Sequence, residues 1–202
     1  MKKSTAKTTK GSKTTKGSTK KTTAVKATPV KTPAVKATGV KHVPNARAAA
    51  TRLVRQSVAT HGKDYLGTKK PRISKDVEEV LDQFVKDVLS TASQNVRESL
   101  VINKKKNMSP EYVSEMINVK EDATREKGGP TLTFIDNVVR SAVAQGSDIK
   151  YQLPKTSKVM FGVYVDEQLN KLGEALVGYL QAGKRITVNK TDVENAVKAL
   201  SM

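Results

Sequence analysis

The residues of this sequence best suited to chemistry are its lysines and arginines, which recur in short clusters between apolar stretches. Beyond the first 44 residues the clusters are Lys69, Lys70, Arg72 and Lys75; Lys104, Lys105 and Lys106; Lys155 and Lys158; and Lys184 and Arg185. Ammonium and guanidinium groups grouped in this way bind phosphate oxygens through charge-assisted hydrogen bonds. The clusters therefore predict a surface for a polyanion, most often a nucleic acid.

The net charge supports the same prediction, and most of it comes from one segment. The 202 residues include 37 Lys and Arg against 19 Asp and Glu, for a formal charge of +18. Residues 1–44 hold 12 lysines and no acidic or aromatic residue, and the run Lys-Thr-Thr-Lys-Gly-Ser occurs there twice in succession. This composition predicts a disordered polycationic tail. A solubility tail or a nuclear address is the simpler alternative, and it is compatible with phosphate binding.

Several classes of protein are disfavoured by what the sequence lacks. Without cysteine there is no disulfide scaffold and no cysteine zinc site. His42 and His61 have no nucleophile placed near them by spacing, and no glycine-rich phosphate loop or metal-ligand spacing occurs. We therefore predict no enzyme activity, no metal and no cofactor. The longest apolar stretch, Met160 to Val165, is too short to span a bilayer, and no signal sequence is evident, which favours an intracellular or capsid-enclosed protein.

The elements that position the basic clusters are helices, because apolar residues recur every three to four positions from Asn45 onward. The predicted order is short–long–short, twice. The first three helices are predicted over Ala46–Val58, over about 26 residues from an N-cap at Ser74, and from Ser109-Pro110. After a polar connection to Pro130, the next three are predicted over Leu132–Ala144, Lys158–Gln181 and Thr191–Leu200, with a loop over Gly146–Ser157.

The two triplets of helices are an internal repeat. Val54–Ala59 aligns with Val139–Ala144 at an offset of 85 residues, and Pro71, Ser74 and Lys75 align with Pro154, Ser157 and Lys158 at an offset of 83. A central helix of about 39 Å is too long for two short helices to cover. Each copy therefore exposes apolar surface that a second copy, crossing it, can bury.

This organisation resembles the histone fold. The run from Ile73 to Val88 is similar to the start of the second helix in the two-B class of core histone, and Asn103-Lys104-Lys105 followed by Ser109 keeps the register of that class. In the second half, Leu132-Thr133-Phe134, Gly146-Ser147 and Val163-Tyr164-Val165 resemble the two-A class. A fused pair in this order is similar to the histone doublets encoded by some large DNA viruses.

The resemblance implies an all-α fold of two tandem histone folds that form an intramolecular handshake pair. The implied organisation is a disordered tail over residues 1–44, a first fold over 45–119, a linker over 120–130 and a second fold over 131–202. The positions that form the family's acidic surface patch are Asn170, Ala175 and Gly178 here, so the patch is expected to be weak. Asp166, Glu167 and Glu174 keep some negative charge nearby.

The resemblance also implies three phosphate-binding stations, because a handshake brings the first loop of each half beside the second loop of the other. One edge would carry Lys69, Lys70, Arg72, Ser74 and Lys75 beside Lys184, Arg185 and Thr187. The other edge would carry Lys155, Ser157 and Lys158 beside Lys104, Lys105 and Lys106. The two first helices would meet between the edges and offer Arg52, Arg55 and Arg140.

The stations have further expected properties and simpler alternatives. Backbone N–H groups at helix starts near Ser74 and Ser157 are expected to bind phosphate, and either Arg72 or Arg185 is expected in the minor groove. Alternatively, Lys104–Lys106 only neutralise a helix end, and Arg55 and Arg140 form internal salt bridges. The aromatic residues at helical core positions are expected to pack and not to stack on bases; they are Phe84, Phe134, Phe161, Tyr164 and Tyr179.

Taken with the resemblance, these features predict a protein that bends and packages double-stranded DNA. The implied partner is a second doublet resembling histones three and four, and the implied setting is a virion interior, the host nucleus or a viral replication compartment. No membrane and no small-molecule substrate are implied. Two other functions stay open at this point: a transcription-regulator module with sequence-selective DNA binding, and an interaction scaffold that does not bind DNA.

Overall fold

The structure, a computed structural model, describes residues 45–125, 128–145 and 149–200. The tail predicted over residues 1–44 lies outside these described residues. Within them the chain forms seven helices and two short strands. In order they are α1 (Arg47–His61), α2 (Lys63–Leu66), β1 (Arg72–Ile73), α3 (Val77–Ile102), α4 (Pro110–Ile117), α5 (Leu132–Ala144), α6 (Lys155–Ala182), β2 (Thr187–Val188) and α7 (Lys190–Leu200).

The predicted order of short, long and short helices is present in both halves, but both long helices begin elsewhere than predicted. Helix α3 begins at Val77 after Asp76, so Ser74 does not cap it. Helix α6 begins at Lys155 after Pro154, three residues before the predicted start at Lys158. Ser157 consequently lies inside the first turn, where it is buried and its hydroxyl donates to the Met108 carbonyl at 2.6 Å. The loop before α6 is therefore shorter than predicted.

The two halves exchange their first helices across the two long ones. Helix α1 packs mainly on α6 of the second half, and α5 packs on α3 of the first half. Helix α4 likewise contacts α6, and α7 contacts α3. Each long helix thus depends on the other half for part of its apolar cover, which is the mutual burial expected from its length.

The loops at the two ends of this arrangement are joined by backbone hydrogen bonds. Strands β1 and β2 pair in parallel, with Arg72 opposite Thr187. At the other end, Asn107 and Gln152 form a parallel bridge. There the Met108 N–H donates to the Gln152 carbonyl at 2.9 Å. The first loop of each half therefore lies beside the second loop of the other.

These two backbone pairings define the register of the internal repeat and correct one alignment. Arg72 is opposite Thr187, and Gln152 is opposite Asn107, so equivalent residues differ by 80 in number. The predicted offset of 83, which aligned Ser74 with Ser157, is wrong in this region. In the first helices the offset is 85, because buried Val54 and Val58 of α1 correspond to buried Val139 and Val143 of α5.

The change of offset from 85 to 80 places five additional residues between the first helix and the strand of the first half. Helix α2, Lys63–Leu66, lies in this longer loop, and its Leu66 is buried in the core. From the strands onward the register of 80 aligns the core residues of the two long helices. Leu81, Leu89 and Leu100 of α3 correspond to Phe161, Leu169 and Leu180 of α6, and all six are fully buried.

Helices α1 and α6 lie in close contact at Gly173. A Cβ atom added to Gly173 would lie 2.4 Å from both Cβ and Oγ of Ser57 and 3.2 Å from the Val54 carbonyl oxygen. The Ser57 hydroxyl donates to the Asn170 carbonyl at 2.7 Å across the same contact. Only glycine fits this position, because any side chain would overlap α1.

The aromatic residues occupy the packing positions predicted for them. Phe134 and Phe161 are buried, and three others are half-buried against the same core: Phe84, Tyr164 and Tyr179. Base stacking is consequently disfavoured as their role. Among the described residues, no helix combines the length and the apolar character that a membrane span requires.

Candidate nucleic-acid interface

The first edge brings exposed cations from both halves to the paired strands. Arg72 and Lys75 are exposed beside β2, and Lys184 is exposed at the end of α6. Lys69 and Lys70 line a shallow depression here together with Arg55 and Arg72. No ion-pair partner of Arg72 or Arg55 is found among the residues the structure describes. These side chains are available to phosphate oxygens.

The backbone N–H of Ser74 is not free to bind phosphate, contrary to the prediction. Its N–H donates to the Val188 carbonyl at 3.1 Å, and the N–H of Val77 donates back to the Ser74 carbonyl at 3.2 Å. Because both groups are used inside the protein, the start of α3 offers fewer free N–H donors than a helix N-terminus normally has. The expectation that the Ser74 backbone binds phosphate is therefore wrong.

Arg185 is partly exposed and is paired with Asp192. Its guanidinium forms two hydrogen bonds to the carboxylate, that from Nη2 to Oδ1 measuring 2.6 Å. The Asn189 N–H also donates to Asp192 Oδ2 at 2.9 Å, so the carboxylate fastens β2 to the start of α7. Hydrogen bonding from Arg185 holds the pKa of Asp192 below its usual value, and the same bond raises the pKa of Arg185. Of the two arginines considered for the minor groove, Arg72 is the exposed one without such a partner.

Replacing Asp192 by asparagine is expected to lower the free energy of unfolding by about 1–2 kcal/mol at pH 7, because a charge-assisted pair is lost from a partly exposed site. Since the folded state lowers the pKa of Asp192, its stabilisation is complete above the ordinary value near 3.9 and disappears as the pH falls through the folded pKa. Urea denaturation of the unchanged protein and of Asp192→Asn between pH 2 and 7 measures the difference in their free energies of unfolding. This difference should decrease as the pH is lowered.

The matched control is Glu194→Gln on the same helix, which removes an exposed pair with Lys190 at 3.8 Å. That change should cost less than about 0.5 kcal/mol. Equal stability losses in the two variants, or a loss in Asp192→Asn that does not vary with pH, would contradict the role assigned to this carboxylate.

The second edge carries as many exposed lysines as the first, but no arginine lies at its backbone pairing. Lys104, Lys105 and Lys106 are exposed, as is Lys155. The residue equivalent to Arg72 is Gln152, which pairs with Asn107 at the second edge. Lys158 is half-buried, and its Nζ lies 3.0 Å from Asp136 Oδ1.

Ser157 cannot contact DNA as predicted, because it is buried and its hydroxyl bonds to Met108. The three lysines also follow the end of α3, where the Lys105 N–H donates to the Leu100 carbonyl at 2.9 Å. Their positive charges therefore favour the carbonyl end of that helix dipole, as in the simpler interpretation, and phosphate binding by them stays a prediction.

The arginines of the two first helices have different surroundings. Arg55 lies beside the first edge, as described. Arg140 pairs with Asp136, Nε to Oδ1 at 2.9 Å, and also donates to the Tyr151 carbonyl at 3.4 Å. Arg52 donates from Nη2 to the Gly128 carbonyl of the linker. The internal salt bridge considered for Arg140 is present, whereas Arg55 keeps its charge at the surface.

An arginine that the sequence analysis did not consider, Arg125, fastens the linker to α6. Its Nε and Nη2 lie 2.6 and 2.8 Å from the two carboxylate oxygens of Asp166, and Nη1 donates to the Pro130 carbonyl. A Cβ atom on Gly129 would overlap Arg125 Nη2 and Asp166 Oδ1, so a side chain there would displace this ion pair. The pair also neutralises Asp166, which leaves Glu167 and Glu174 as the remaining acidic charges expected on this face.

The candidate interface therefore includes two edges, each built from one loop of either half and each bearing several exposed amino groups. Such an arrangement can bind phosphates at two places on one molecule. The middle station of Arg52, Arg55 and Arg140 stays a prediction, with Arg52 and Arg140 hydrogen-bonded within the protein. Thr187 contributes through its backbone in β2 and through its carbonyl, which accepts from Arg185 Nη1 at 3.0 Å. Binding of DNA by these residues stays a prediction.

The comparisons with known proteins agree with the fold. No family model matches the chain, and no curated protein matches it. Among solved structures, the histone from Methanopyrus kandleri matches with a TM-score of 0.55 at 20% sequence identity, over 75% of this chain and 92% of that chain. A match over three quarters of 202 residues requires both halves. The predicted all-α fold, two tandem histone folds in an intramolecular handshake, is confirmed; the predictions of no enzyme activity, metal or cofactor stay predictions.

Proposed function

We propose that this pair of histone folds, joined in one polypeptide, packages double-stranded DNA. The observation that carries the proposal is the pairing of β1 with β2, which sets exposed Arg72 and its neighbouring lysines beside Lys184 of the other half. The second edge repeats this arrangement with Lys104–Lys106 and Lys155. Two cationic edges on one molecule favour a duplex that contacts both, and hence a bent duplex.

Contacts of this kind bind phosphates and carry no direct information about base sequence. Selectivity would then come from how easily a sequence bends. Arg72 is the proposed minor-groove residue, because its guanidinium is exposed and Arg185 is engaged by Asp192. The 12 lysines of residues 1–44 would add binding energy that decreases steeply as salt concentration rises.

The proposed partner is a second histone doublet resembling histones three and four. Val101 and Ile102, at the end of α3, are 53% and 79% exposed. The equivalent residues of α6 are polar Gln181 and small Ala182, so the fold does not require large apolar side chains at this position. An exposed apolar pair of this kind favours a docking surface, and a partner doublet is the occupant that the resemblance implies.

The proposed setting is the compaction of a viral genome in a virion, or in the host nucleus or a viral replication compartment during infection. The support is the order of the two halves, the first similar to the two-B class and the second to the two-A class. Detection of the chain by immunogold labelling inside purified particles would support the setting.

Nuclease digestion tests the proposed function. A long DNA is reconstituted with the full chain, with and without a tetramer of histones three and four as a stand-in for the partner doublet, and digested with micrococcal nuclease. A ladder of protected lengths is the expected result. A single short footprint restricted to one sequence would support the transcription-regulator alternative, and no protection at all would contradict both.

Deletion of residues 1–44 separates the DNA-binding proposal from the scaffold alternative. The truncated chain should bind DNA with a clearly smaller dependence on salt, while the protected length stays the same because the two edges remain. A scaffold that does not bind DNA would show neither protection nor any salt dependence in either form.

A further inference from the structure

The repeat creates two equivalent grooves, and among the described residues a segment from outside the two helices lies against the first of them. The first lies between α1 and α6, with a volume of about 400 Å³, and the linker residues Thr124 and Arg125 form part of its lining. The second lies between α5 and α3, with a volume of about 300 Å³, and all its described lining residues belong to those two helices or to Gln145 just after α5.

The offsets of 85 and 80 residues show that the linings of the two grooves are equivalent position by position. With the offset of 85 in the short helices, Leu53, Gln56, Ser57 and Thr60 of the first groove correspond to Val138, Ser141, Ala142 and Gln145 of the second. With the offset of 80 in the long helices, Asp166 and Asn170 correspond to Lys86 and Ser90. The way the first groove holds its segment therefore indicates what the second groove can hold.

Two polar contacts fix the linker at the first groove. Arg125 binds Asp166 on the long helix through two hydrogen bonds of 2.6 and 2.8 Å. Arg52 on the short helix donates to the backbone carbonyl of Gly128. The contact at Asp166 thus binds a charged side chain of the segment, and the contact at Arg52 binds its backbone.

The second groove keeps both positions but reverses the charge of one. In the second groove, Lys86 occupies the position equivalent to Asp166. Asn137, which also lines this groove, occupies the position equivalent to Arg52. An asparagine amide can donate to a backbone carbonyl as Arg52 does. An ammonium at the position of Asp166 selects a carboxylate in place of a guanidinium. The groove is also more apolar, because Phe134, Val138 and Ala142 contribute to its lining.

We propose that the groove between α3 and α5 binds an extended acidic peptide segment of a partner protein. A carboxylate of the segment pairs with Lys86, a backbone carbonyl accepts from Asn137, and a small apolar side chain rests on Val138. The Lys86 ammonium lies 2.7 Å from Asp82 Oδ2, yet its side chain is 43% exposed and two of its three donors remain.

Asp82 is the other charged group at this point, and it is already engaged. Its Oδ1 accepts from the Ala46 N–H at 2.7 Å, and its side chain is 6% exposed. Its charge partly offsets that of Lys86, whose two remaining donors are the groups that a carboxylate in the groove can engage. The lysine-rich residues 1–44 of this chain are a poor occupant, since they hold no carboxylate to pair with Lys86. Binding at this groove does not depend on DNA.

The test uses a peptide probe derived from the linker that lies at the first groove. A fluorescein-labelled peptide with the sequence of residues 118–130, carrying Arg125→Glu, is titrated with the full chain at 150 mM salt and followed by fluorescence anisotropy. Two control peptides are the unchanged linker sequence and a scrambled version of the Glu peptide with the same charge. The Glu peptide should bind at least tenfold more tightly than either control.

Variants then assign the binding to the groove. Lys86→Asp should weaken binding of the Glu peptide at least tenfold and favour the unchanged Arg peptide, whereas Lys198→Asp, an exposed change of equal charge on α7, should leave both affinities unchanged. Ser141→Trp, at an exposed position of the same lining, fills the groove without altering Lys86 or the net charge and should also abolish binding. Thermal denaturation checks the folding of each variant, and if Lys86→Asp does not fold, Ser141→Trp decides.

Equal binding of the Glu and scrambled peptides would overturn the proposal, because charge attraction without the groove would then explain both. Loss of binding on deletion of residues 1–44 would overturn it for the same reason. Neither result bears on DNA protection, so this proposal and the proposed function can fail separately.

Discussion

Replacing Gly173 by leucine is expected to leave the chain unfolded at 25 °C. Even a methyl group would lie 2.4 Å from the Ser57 side chain, and 3.2 Å from the Val54 carbonyl, so α1 would have to separate from α6. Overpacking of a core costs about 1–3 kcal/mol where side chains can adjust, and more where a backbone must move. Helix content by circular dichroism, with urea titration, measures the effect; Gly173→Ala should retain the fold with a large loss of stability.

The control for this prediction is another glycine on the same helix. A Cβ atom on Gly178 would meet no atom within 4 Å, and this position is exposed. Gly178→Ala should therefore stabilise the protein by about 0.5–1 kcal/mol through helix propensity. If both alanine variants were equally stable, the close approach of α1 and α6 would not be the reason that glycine occupies position 173.

Neutralising the first edge is expected to have the largest effect on DNA binding outside the tail. In the triple variant Lys69→Gln, Lys70→Gln and Arg72→Gln, three exposed cations beside β1 and β2 are lost. Each phosphate contact contributes about 0.9 to the slope of log K against log salt. The slope measured on a random duplex should accordingly become shallower by up to about 2.7, with weaker binding at every salt concentration.

A second triple variant with the same change of charge serves as the control. Lys120→Gln, Lys171→Gln and Lys198→Gln remove exposed lysines from the linker, α6 and α7, away from both edges. This variant should change the slope by clearly less than one unit. Equal slopes for the two variants would mean that binding depends on net charge and not on the paired loops.

Hydrophobic spacing was sufficient to predict six helices and their mutual burial. The apolar stripe of a long amphipathic helix is too long for two short helices to cover, so a second copy must pack against it. Helix α5 has the predicted bounds, Leu132–Ala144. The offset between equivalent residues of the two halves was not predictable from residue types alone. Pro71 and Ser74 matched Pro154 and Ser157 by residue type, yet Ser74 and Ser157 have unrelated positions, and the hydrogen bonds of Gln152 set the true offset.

The individual roles of the arginines were the least predictable part of the site. Arg185 and Asp192 are separated by a strand and a turn, and only the folded loop brings the two side chains together. Arg125 lies in a polar segment with no apolar spacing to place it; the following Gly128-Gly129 was the available sign of a close approach. Ser157 was misplaced because Pro154 starts α6 one turn earlier.

The exchange of first helices between the halves has a consequence for the order of events during synthesis. Helix α1 finds its main packing surface on α6, which begins more than ninety residues later in the chain. While the ribosome is still translating the second half, the emerged first half has no complete core, and its apolar stripe is open to solvent. Folding is therefore expected to wait until α6 has left the exit tunnel, so that the nascent chain becomes protease-resistant in one late step.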